Sequence, residues 1–325
     1  MTHALTRRAA LSLLAAPALL RVANAQAPWA LDHAVRIIVP FPPGGGLDLV
    51  GRVLAEVVSP ALGQPVVVDN RAGAAGALGI EQVFRSAPDG HTLGITSAGN
   101  ITIGPLLRRS PPYPPLAMTH VSRLTTSPLM LVARKDLPVA DLDAFLAWAR
   151  AKPQEVRFGS GGVGSSPHMA LELLNIRLGA TMLHVPYRGT TPLLTDLAAG
   201  QVDVGFSDAS GWPLVQQGAL RLLAVSTAEP WARSAGTPTL DSRVGDFNVS
   251  NWYGLVAPPG LPAPVLARWE AETAKALATQ RVRDAYEGSG FTPSPLPEAE
   301  FKPFLEREIA LWKSVIETAK IEPEG

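Results

Sequence analysis

The chain of 325 residues contains no cysteine, which removes disulfides, thiolate nucleophiles and zinc–thiolate sites from consideration. An excess of either charge is also lacking, since 28 Lys and Arg balance 28 Asp and Glu, so nothing points to nucleic acid as a partner. Only 17% of the residues are charged and 46% are hydrophobic, which argues against disorder. The length suffices for about two domains, each with its own core.

Long apolar runs are scarce as well. One run extends from Ala9 to Leu20, follows Arg7 and Arg8, and precedes Ala23-Asn24-Ala25; no later run is long enough to span a bilayer. These three parts are typical of a secretory signal peptide over residues 1–25, with a membrane anchor as the alternative. The paired arginines fit twin-arginine export, and Sec export stays open. Cleavage after Ala25 would remove three arginines and no acidic residue, leaving 25 basic and 28 acidic residues and a net charge of −3.

Short β-rich runs alternate with glycine-containing loops and amphipathic helical patterns along the rest of the chain. The runs lie at 35–40, 66–68, 92–96, 129–132, 156–158, 182–185, 202–206 and 220–225. This rhythm predicts an α/β fold with mainly parallel sheets flanked by helices. Two long amphipathic helices are predicted over 262–278 and 297–320.

One sheet holding all these strands would be unusually wide, so the sequence predicts two lobes. No flexible linker separates the halves, so we expect the chain to cross directly between the lobes, near 123–127 and 250–253. Lobe 1 would contain residues 26–125 and 251–325, and lobe 2 would contain residues 126–250.

The loops after the predicted strands are rich in Gly, Ser, Thr and Asn and almost empty of cations. Helix N-termini bind anions through unpaired N–H groups, so this composition suits a small anionic or polar ligand held by backbone amides. The candidates in the first half of the chain are Phe41, Pro42, Gly44, Gly45, Gly46, Asp48, Ser97 and Asn100. Packing, helix capping and a first-turn dipole contact remain alternative roles for these side chains.

A second glycine cluster, Gly159-x-Gly161-x-x-Gly164, follows a predicted strand and opens a helix, as in dinucleotide-binding proteins. The acidic residue expected at the end of the next strand is missing, since that strand ends at Val185-Pro186-Tyr187-Arg188. A polar loop that contacts ligand through Ser160, Ser165 and Ser166 is therefore the favoured interpretation.

A hydrolase would need a nucleophile, a base and an orienting group, for which Ser160, His168 and Asp208 are the candidates. Gly-x-Ser-x-Gly is absent because Phe158 occupies its first position, and the histidines show no metal-ligand spacing. His168 is more plausible as a local or ligand hydrogen-bonding group. Arg188 is a candidate partner for a ligand carboxylate or for a surface ion pair, and Asp208 for a ligand amine or for a helix cap.

Several blocks together resemble the periplasmic substrate-binding receptors of tripartite tricarboxylate transporters, the Bug family. The resemblance extends from about Trp29 to the C-terminus. Its blocks are Val39-Pro40-Phe41-Pro42-Pro43-Gly44-Gly45-Gly46-Leu47-Asp48 with Arg52, Asp69-Asn70-Arg71-Ala72-Gly73-Ala74-Ala75-Gly76, Ala87-Pro88-Asp89-Gly90-His91-Thr92-Leu93, Gly164-Ser165-Ser166-Pro167-His168, Val185-Pro186-Tyr187-Arg188-Gly189, Asp196-Leu197 with Gly200-Gln201-Val202-Asp203, and Trp252-Tyr253-Gly254-Leu255-Val256-Ala257-Pro258.

The resemblance implies a type II periplasmic-binding-protein fold, in which two lobes close on a ligand between them. It implies that the Phe41-to-Asp48 and Ser97-to-Asn100 loops line the cleft from the first lobe, the former holding a ligand carboxyl group largely through ordered water. From the second lobe it supplies Ser160, Gly161, Gly164, Ser165, Ser166, His168, Arg188, Gly189, Thr190 and Asp208.

We therefore expect a non-enzymatic, monomeric receptor in the periplasm that delivers a small carboxylate to membrane-embedded transporter subunits, without cofactor, metal or nucleic acid. An extracytoplasmic sensor that presents its ligand to a membrane receptor kinase is the alternative, and a cofactor-free hydrolase is a more distant one.

Overall fold

The computed structural model describes residues 31–323, so the predicted signal peptide lies outside the described residues. The strands are β1 (Val35–Val39), β2 (Val66–Asn70), β3 (Thr92–Ser97), β4 (Thr119–Pro128), β5 (Met130–Arg134), β6 (Arg157–Ser160), β7 (Leu183–Pro186), β8 (Val204–Ser207), β9 (Leu220–Val225), β10 (Ser250–Ala257) and β11 (Thr292–Pro297). The α-helices are α1 (Gly46–Leu62), α2 (Ala77–Phe84), α3 (Leu142–Ala151), α4 (Ser166–Leu178), α5 (Thr190–Ala198), α6 (Trp212–Gln216), α7 (Asp241–Val244), α8 (Ala263–Ala278), α9 (Gln280–Gly288) and α10 (Glu298–Ala319).

The strands form two sheets, each the centre of one lobe. The first sheet has six strands in the order β11-β4-β10-β3-β1-β2, and the second has five in the order β7-β6-β8-β5-β9. The predicted two-lobe α/β architecture is thus confirmed. No helix within residues 31–323 is long and apolar enough to cross a membrane.

Both sheets are mixed, which corrects the expectation of mainly parallel pairing. β1 pairs in parallel with β2 and β3, but β10 is antiparallel to β3 and β4, and β11 is antiparallel to β4. In the second sheet β6 is parallel to β7 and β8, whereas β5 is antiparallel to β8 and β9. A strand that enters its sheet from the other lobe starts at the cleft and runs away from it. β5 and β10 therefore oppose the strands that end at the cleft.

Hydrogen bonds join three chain segments where the chain passes between the sheets. β4 continues through residues 123–127 and ends at Pro128, and Leu129 links it to β5. Ser226, just after β9, accepts from Val249 N–H and donates its own N–H to the Leu129 carbonyl, both at 2.9 Å. Its hydroxyl accepts from Leu129 N–H at 2.8 Å and donates to the Val249 carbonyl at 2.5 Å. One buried serine thus holds both crossings together.

Local sequence explains how β1 and α1 reach the cleft. Three of the five β1 residues are consecutive, fully buried Ile and Val, since helices cover both faces of a central strand. Leu47, Val50, Leu54 and Val58 then bury one face of α1 at helical spacing. The helix therefore begins directly after the glycine loop, with its N-terminus at the cleft.

The C-terminal helix α10 contacts both lobes. It packs on β4 of the first sheet and on α4 of the second lobe. Its buried side chains, including Trp312 and Ile316, belong to the same apolar cluster as Leu171 and Leu174 of α4. The main apolar core is therefore continuous across the two lobes on this side of the molecule.

Candidate functional site

Three helix N-termini from both lobes meet at one small cavity. The cavity has a volume of about 50 Å³ and is bordered by Gly45, Ser165 and Gly189, which precede α1, α4 and α5. The first N–H groups of a helix have no partner within it, and the dipole places partial positive charge there. No Lys, Arg or His is among the described residues that line this cavity. The lining does include the carboxylates of Asp48 and Asp208, so the positive charge that the described lining residues contribute is the partial charge of their backbone amides.

A larger cavity of about 780 Å³ lies beside the small one. Phe41, Pro42, Gly99 and Gly161 line both cavities. Loops of the first lobe around Gly73 and Tyr113 and the Gly161–Gly164 and Pro186–Arg188 loops of the second lobe complete its wall. The inter-lobe cleft therefore contains a small cavity that adjoins a much larger one.

Most predicted site residues lie on this cleft. Fifteen of them line one or both cavities: Phe41, Pro42, Gly45, Gly46, Asp48, Ser97, Asn100, Gly161, Gly164, Ser165, Ser166, Arg188, Gly189, Thr190 and Asp208. The other three, Gly44, Ser160 and His168, line neither cavity and make hydrogen bonds that shape the glycine loops.

Asp48 holds the first glycine loop in place. Its carboxylate accepts from Gly44 N–H (3.0 Å), from Arg52 Nε (3.0 Å) and from Asn70 Nδ2 (2.9 Å), and Asn70 Nδ2 also donates to the Phe41 carbonyl (3.0 Å). Burial alone would raise the pKa of Asp48, but the hydrogen bonds from Arg52, Gly44 and Asn70 outweigh it and lower the pKa overall. Asp48 therefore stays ionised and fixes the position of Phe41.

Asp208 and Tyr253 form a hydrogen bond across the cleft. Tyr253 is on β10 in the first lobe, and its hydroxyl donates to Asp208 Oδ2, which follows β8 in the second lobe. The other oxygen, Oδ1, accepts from Ser210 N–H at 3.0 Å and from the Ser210 hydroxyl, so Asp208 also caps the turn at Ala209–Gly211. Burial, with the Asp208 charge as a second cause, raises the pKa of Tyr253 well above its ordinary value. The phenol therefore keeps its proton and remains a donor.

The second glycine loop rests on two stacked histidines. The Ser160 hydroxyl and His184 Nε2 are 2.6 Å apart, Gly164 N–H donates to His168 Nδ1 at 3.2 Å, and the two imidazoles stack with centroids 4.3 Å apart. Burial, and secondarily the nearby His168, lowers the pKa of His184 to about 4. Ser160 is fully buried and pairs with His184, while Asp208 pairs with Ser210 and Tyr253. The three candidate hydrolase residues, Ser160, His168 and Asp208, therefore form no hydrogen-bonded relay.

Asn100 and Ser97 stand at the end of β3. Asn100 Oδ1 accepts from the Thr96 hydroxyl (2.5 Å) and Ser97 N–H (3.1 Å), and its carbonyl accepts from the Tyr113 hydroxyl (2.6 Å). Its Nδ2 is buried and has no hydrogen-bond partner among the described residues. A buried unpaired amide is costly, so this group is a candidate donor to a ligand in the larger cavity, which Asn100 lines.

Sequence reasoning missed Tyr253 and Asn251 as site residues. Both are buried, line the small cavity and belong to β10, which begins where the chain returns from the second lobe. The signal was present, because 250–253 was the predicted second crossing and a crossing segment borders the cleft.

One further cluster lies outside both cavities. Asp32 Oδ1 is 2.5 Å from His33 Nδ1 and 3.2 Å from His91 Nε2, so these groups could approach one metal ion. The imidazoles stack at 3.5 Å with an interplanar angle of 8°. Parallel rings cannot both direct an in-plane lone pair at a shared ion, so this arrangement would have to change to hold a metal.

Comparisons with known proteins agree with this geometry. Residues 50–321 match the family described as "Tripartite tricarboxylate transporter family receptor". Protein BugT of Bordetella pertussis (strain Tohama I) is 34% identical over 290 residues, covering 87% of this chain and 88% of BugT. Periplasmic binding protein BugD superposes with a TM-score of 0.86 at 27% identity, covering 90% of this chain and 100% of BugD.

The R. palustris protein Rpa4515 with adipate superposes with a TM-score of 0.87 at 30% identity, covering 90% of this chain and 99% of that one. The family match and the identity to BugT both extend over most of the chain. This protein therefore belongs to the Bug family of tripartite tricarboxylate transporter receptors.

Proposed function

We propose that this protein is an exported, non-enzymatic receptor that captures a small carboxylate between its lobes and delivers it to a tripartite membrane transporter. The observation that carries the proposal is the convergence of three helix N-termini, from both lobes, on a cavity that no described cationic side chain lines. Such amides bind a carboxylate without Lys or Arg. A ligand bound there would touch both lobes.

Lobe closure is the proposed mechanism. The Tyr253–Asp208 hydrogen bond already links the lobes, and a Cβ placed on Gly99 would lie only 3.2 Å from Ser165 Cα across the cleft. A ligand that contacts both lobes binds the closed form better than the open form and so shifts the population toward it. The closed form is the one that we propose the membrane partner recognises.

The relatives support the ligand class and the location. Rpa4515 was solved with adipate, and BugD is a periplasmic binding protein. We extend a carboxylate ligand, a periplasmic location and transporter partnership to this chain on that basis. Full burial of Ser160 supports binding without turnover, because a buried hydroxyl offers no nucleophile to the cleft.

A thermal-shift panel of succinate, malate, adipate, citrate and benzoate tests ligand capture on the chain from residue 26. A compound that binds only the folded state adds about 2.7 kcal/mol of stability at 100 times its Kd. Refolding from denaturant first would remove any ligand carried through purification. A flat panel after that step would reject the carboxylate proposal.

A pair of proline variants tests the role of the amides. Thr190→Pro removes an N–H at the first position of α5, where proline is tolerated. Thr190 lines the small cavity. Gln280→Pro makes the same change at the first position of α9, away from both cavities. T190P should weaken carboxylate binding about tenfold, as expected for one charge-assisted hydrogen bond, and Q280P should not. Equal affinities in the two variants would count against amide capture.

A further inference from the structure

A second contact between the lobes lies outside both cavities. Trp231 belongs to the loop after β9 in the second lobe, and Gly290 lies between α9 and β11 in the first. A Cβ built on Gly290 would lie 3.0 Å from Cη2 and 3.1 Å from Cζ2 of Trp231, and 3.0 Å from the Cβ of Ala209, also in the second lobe. None of these three residues lines a cavity. The tip of the indole therefore rests on the backbone of the opposite lobe, away from the ligand site.

Trp231 is fixed from its own lobe. Its indole packs against Trp212 with ring centroids 4.9 Å apart and an interplanar angle of 72°. Both tryptophans belong to an apolar cluster of the second lobe that includes Met130 and Val225. Trp231 is only 9% exposed, although it is on a loop. The side chain therefore moves with the second lobe and presents its tip to the first.

The surface that receives the indole is equally well defined. Gly290 has a φ of +83° and ends α9 in a Schellman motif, in which its N–H donates to the Glu287 carbonyl at 2.8 Å and Phe291 N–H donates to the Tyr286 carbonyl at 2.9 Å. Glycine meets the backbone requirement of this motif, and the missing Cβ leaves room for the indole. Phe291, the next residue, is buried and packs on Tyr253 with ring centroids 5.4 Å apart. This surface is therefore a rigid part of the first lobe.

The indole contact adjoins the Tyr253–Asp208 hydrogen bond. Ala209, which meets Gly290, directly follows Asp208, and Phe291 joins Gly290 to the ring of Tyr253. One seam between the lobes thus combines a hydrogen bond with an apolar contact. Opening the cleft at this seam would return the tip of the Trp231 ring to water, so the contact favours the closed form.

We infer that Trp231 is a latch, a positioning residue that sets how readily the cleft closes and so tunes the affinity for every ligand without touching any of them. The inference rests on the proposed function, because only a receptor that closes on its ligand makes use of such a contact. The affinity of a ligand that needs the closed form scales with the fraction of the protein that is closed. A change in the latch therefore multiplies all dissociation constants by one common factor.

Trp231→Phe tests the latch and keeps an aromatic ring against Trp212. Phenylalanine is shorter than tryptophan, so the substitution withdraws the atoms nearest Gly290. Uncovering about 50 Å² of apolar surface lowers the closed-to-open ratio about tenfold. By titration calorimetry, the Kd of each compound of the carboxylate panel that binds should rise by the same factor, up to about tenfold.

Distances between spin labels test the latch without any ligand. The labels are attached at Val67→Cys and Leu183→Cys, exposed positions on the edge strands β2 and β7 of the two sheets. Trp231→Phe should increase the fraction of long distances. Trp269→Phe is the matched control, because Trp269 is fully buried and its indole donates to the Gly90 carbonyl within the first lobe, at 3.2 Å. This control should lose stability and keep the distances.

Two results would overturn the latch. The first is a distance distribution in W231F that matches the distribution in W269F. The second is a rise in Kd that differs by more than about threefold between compounds, since Trp231 would then act on particular ligands. If W231F lengthens the distances but no compound of the panel binds to the unmodified protein, the latch is supported and the proposed carboxylate-binding function fails.

Discussion

Replacing Tyr253 with Phe should shift the cleft toward an open form. The substitution deletes one oxygen and leaves the ring, which packs against Phe291 with centroids 5.4 Å apart. The lost hydroxyl donates to Asp208 in the other lobe, and both groups are buried. In an open cleft, water would satisfy Asp208, so the loss falls mainly on the closed form.

The size of the effect follows from the charge on Asp208. A hydrogen bond to an ionised group contributes about 1.5–3 kcal/mol, so the closed-to-open ratio should fall about 10- to 100-fold. The apparent Kd of a ligand that needs the closed form rises by up to the same factor, and by less if the closed form still dominates. The free energy of unfolding should change by less than the free-energy difference between the closed and open forms.

A distance measurement between spin labels reports the closure directly. The chain has no cysteine, so V67C and L183C introduce two unique labelling sites. Both positions are exposed, and they lie on β2 and β7, edge strands remote from the crossing strands in their sheets. Opening should therefore separate them widely. The Tyr253→Phe variant should show a larger fraction of long distances than the unmodified background.

Tyr286→Phe is the control for this prediction. Tyr286 is also fully buried, but its hydroxyl donates to the Val50 carbonyl within the first lobe, at 2.9 Å. This variant should lose stability and keep the original distance distribution. Indistinguishable distances and ligand affinities in the two variants would refute the assignment of the Tyr253–Asp208 bond to closure.

Three other perturbations give separate expectations. Gly46→Ala should hold the lobes apart, because its Cβ would lie 2.6–2.9 Å from groups of both lobes; weaker carboxylate binding with retained folding, by calorimetry and circular dichroism, checks this. Asp48→Asn should weaken binding and cost about 1–3 kcal/mol in urea unfolding, because it weakens the attachment of the glycine loop to Arg52 and Asn70. Burial lowers the pKa of His120, like that of His184, to about 4, so in acid the unfolded chain protonates first. The free energy of unfolding should therefore fall as the pH is lowered from 6.5 to 4. In His120→Leu this loss, measured at pH 4.5, should be smaller by about 2 kcal/mol than in the unmodified protein, and equal losses in the two proteins would contradict the prediction.

The elements predicted from sequence are those with local signals. Runs such as 35–40 and 220–225 are apolar and bounded by turn residues, so their strand character shows without knowledge of their partners. β4 carries Thr, Ser, His and Arg along its length, and its strand conformation depends on pairing with β10, more than a hundred residues later. β11 contains three prolines and is tolerated because it lies at the edge of the sheet.

The cleft likewise combines features with local sequence signals and features that depend on distant residues. Glycine loops and helix N-termini are recognisable from consecutive residues, so the border of the small cavity could be predicted. The Tyr253–Asp208 pair joins residues 45 apart in sequence, and the sequence around neither residue predicts this hydrogen bond. Ser160 and His168 illustrate the reverse case, because their positions next to the loop were evident but their orientation away from the cavities depends on His184, a residue from the neighbouring strand.

The hydrogen bonds of Ser226 have a mechanical consequence. Leu129 and Val249 are each hydrogen-bonded to Ser226, so we expect the two connections between the lobes to move together. We therefore expect the lobes to rotate about one pivot near Ser226, so that a single angle describes most of the motion. Every ligand long enough to touch both lobes acts on that same angle. Differences in ligand size should therefore be transmitted to the membrane partner as degrees of one rotation rather than as different shapes.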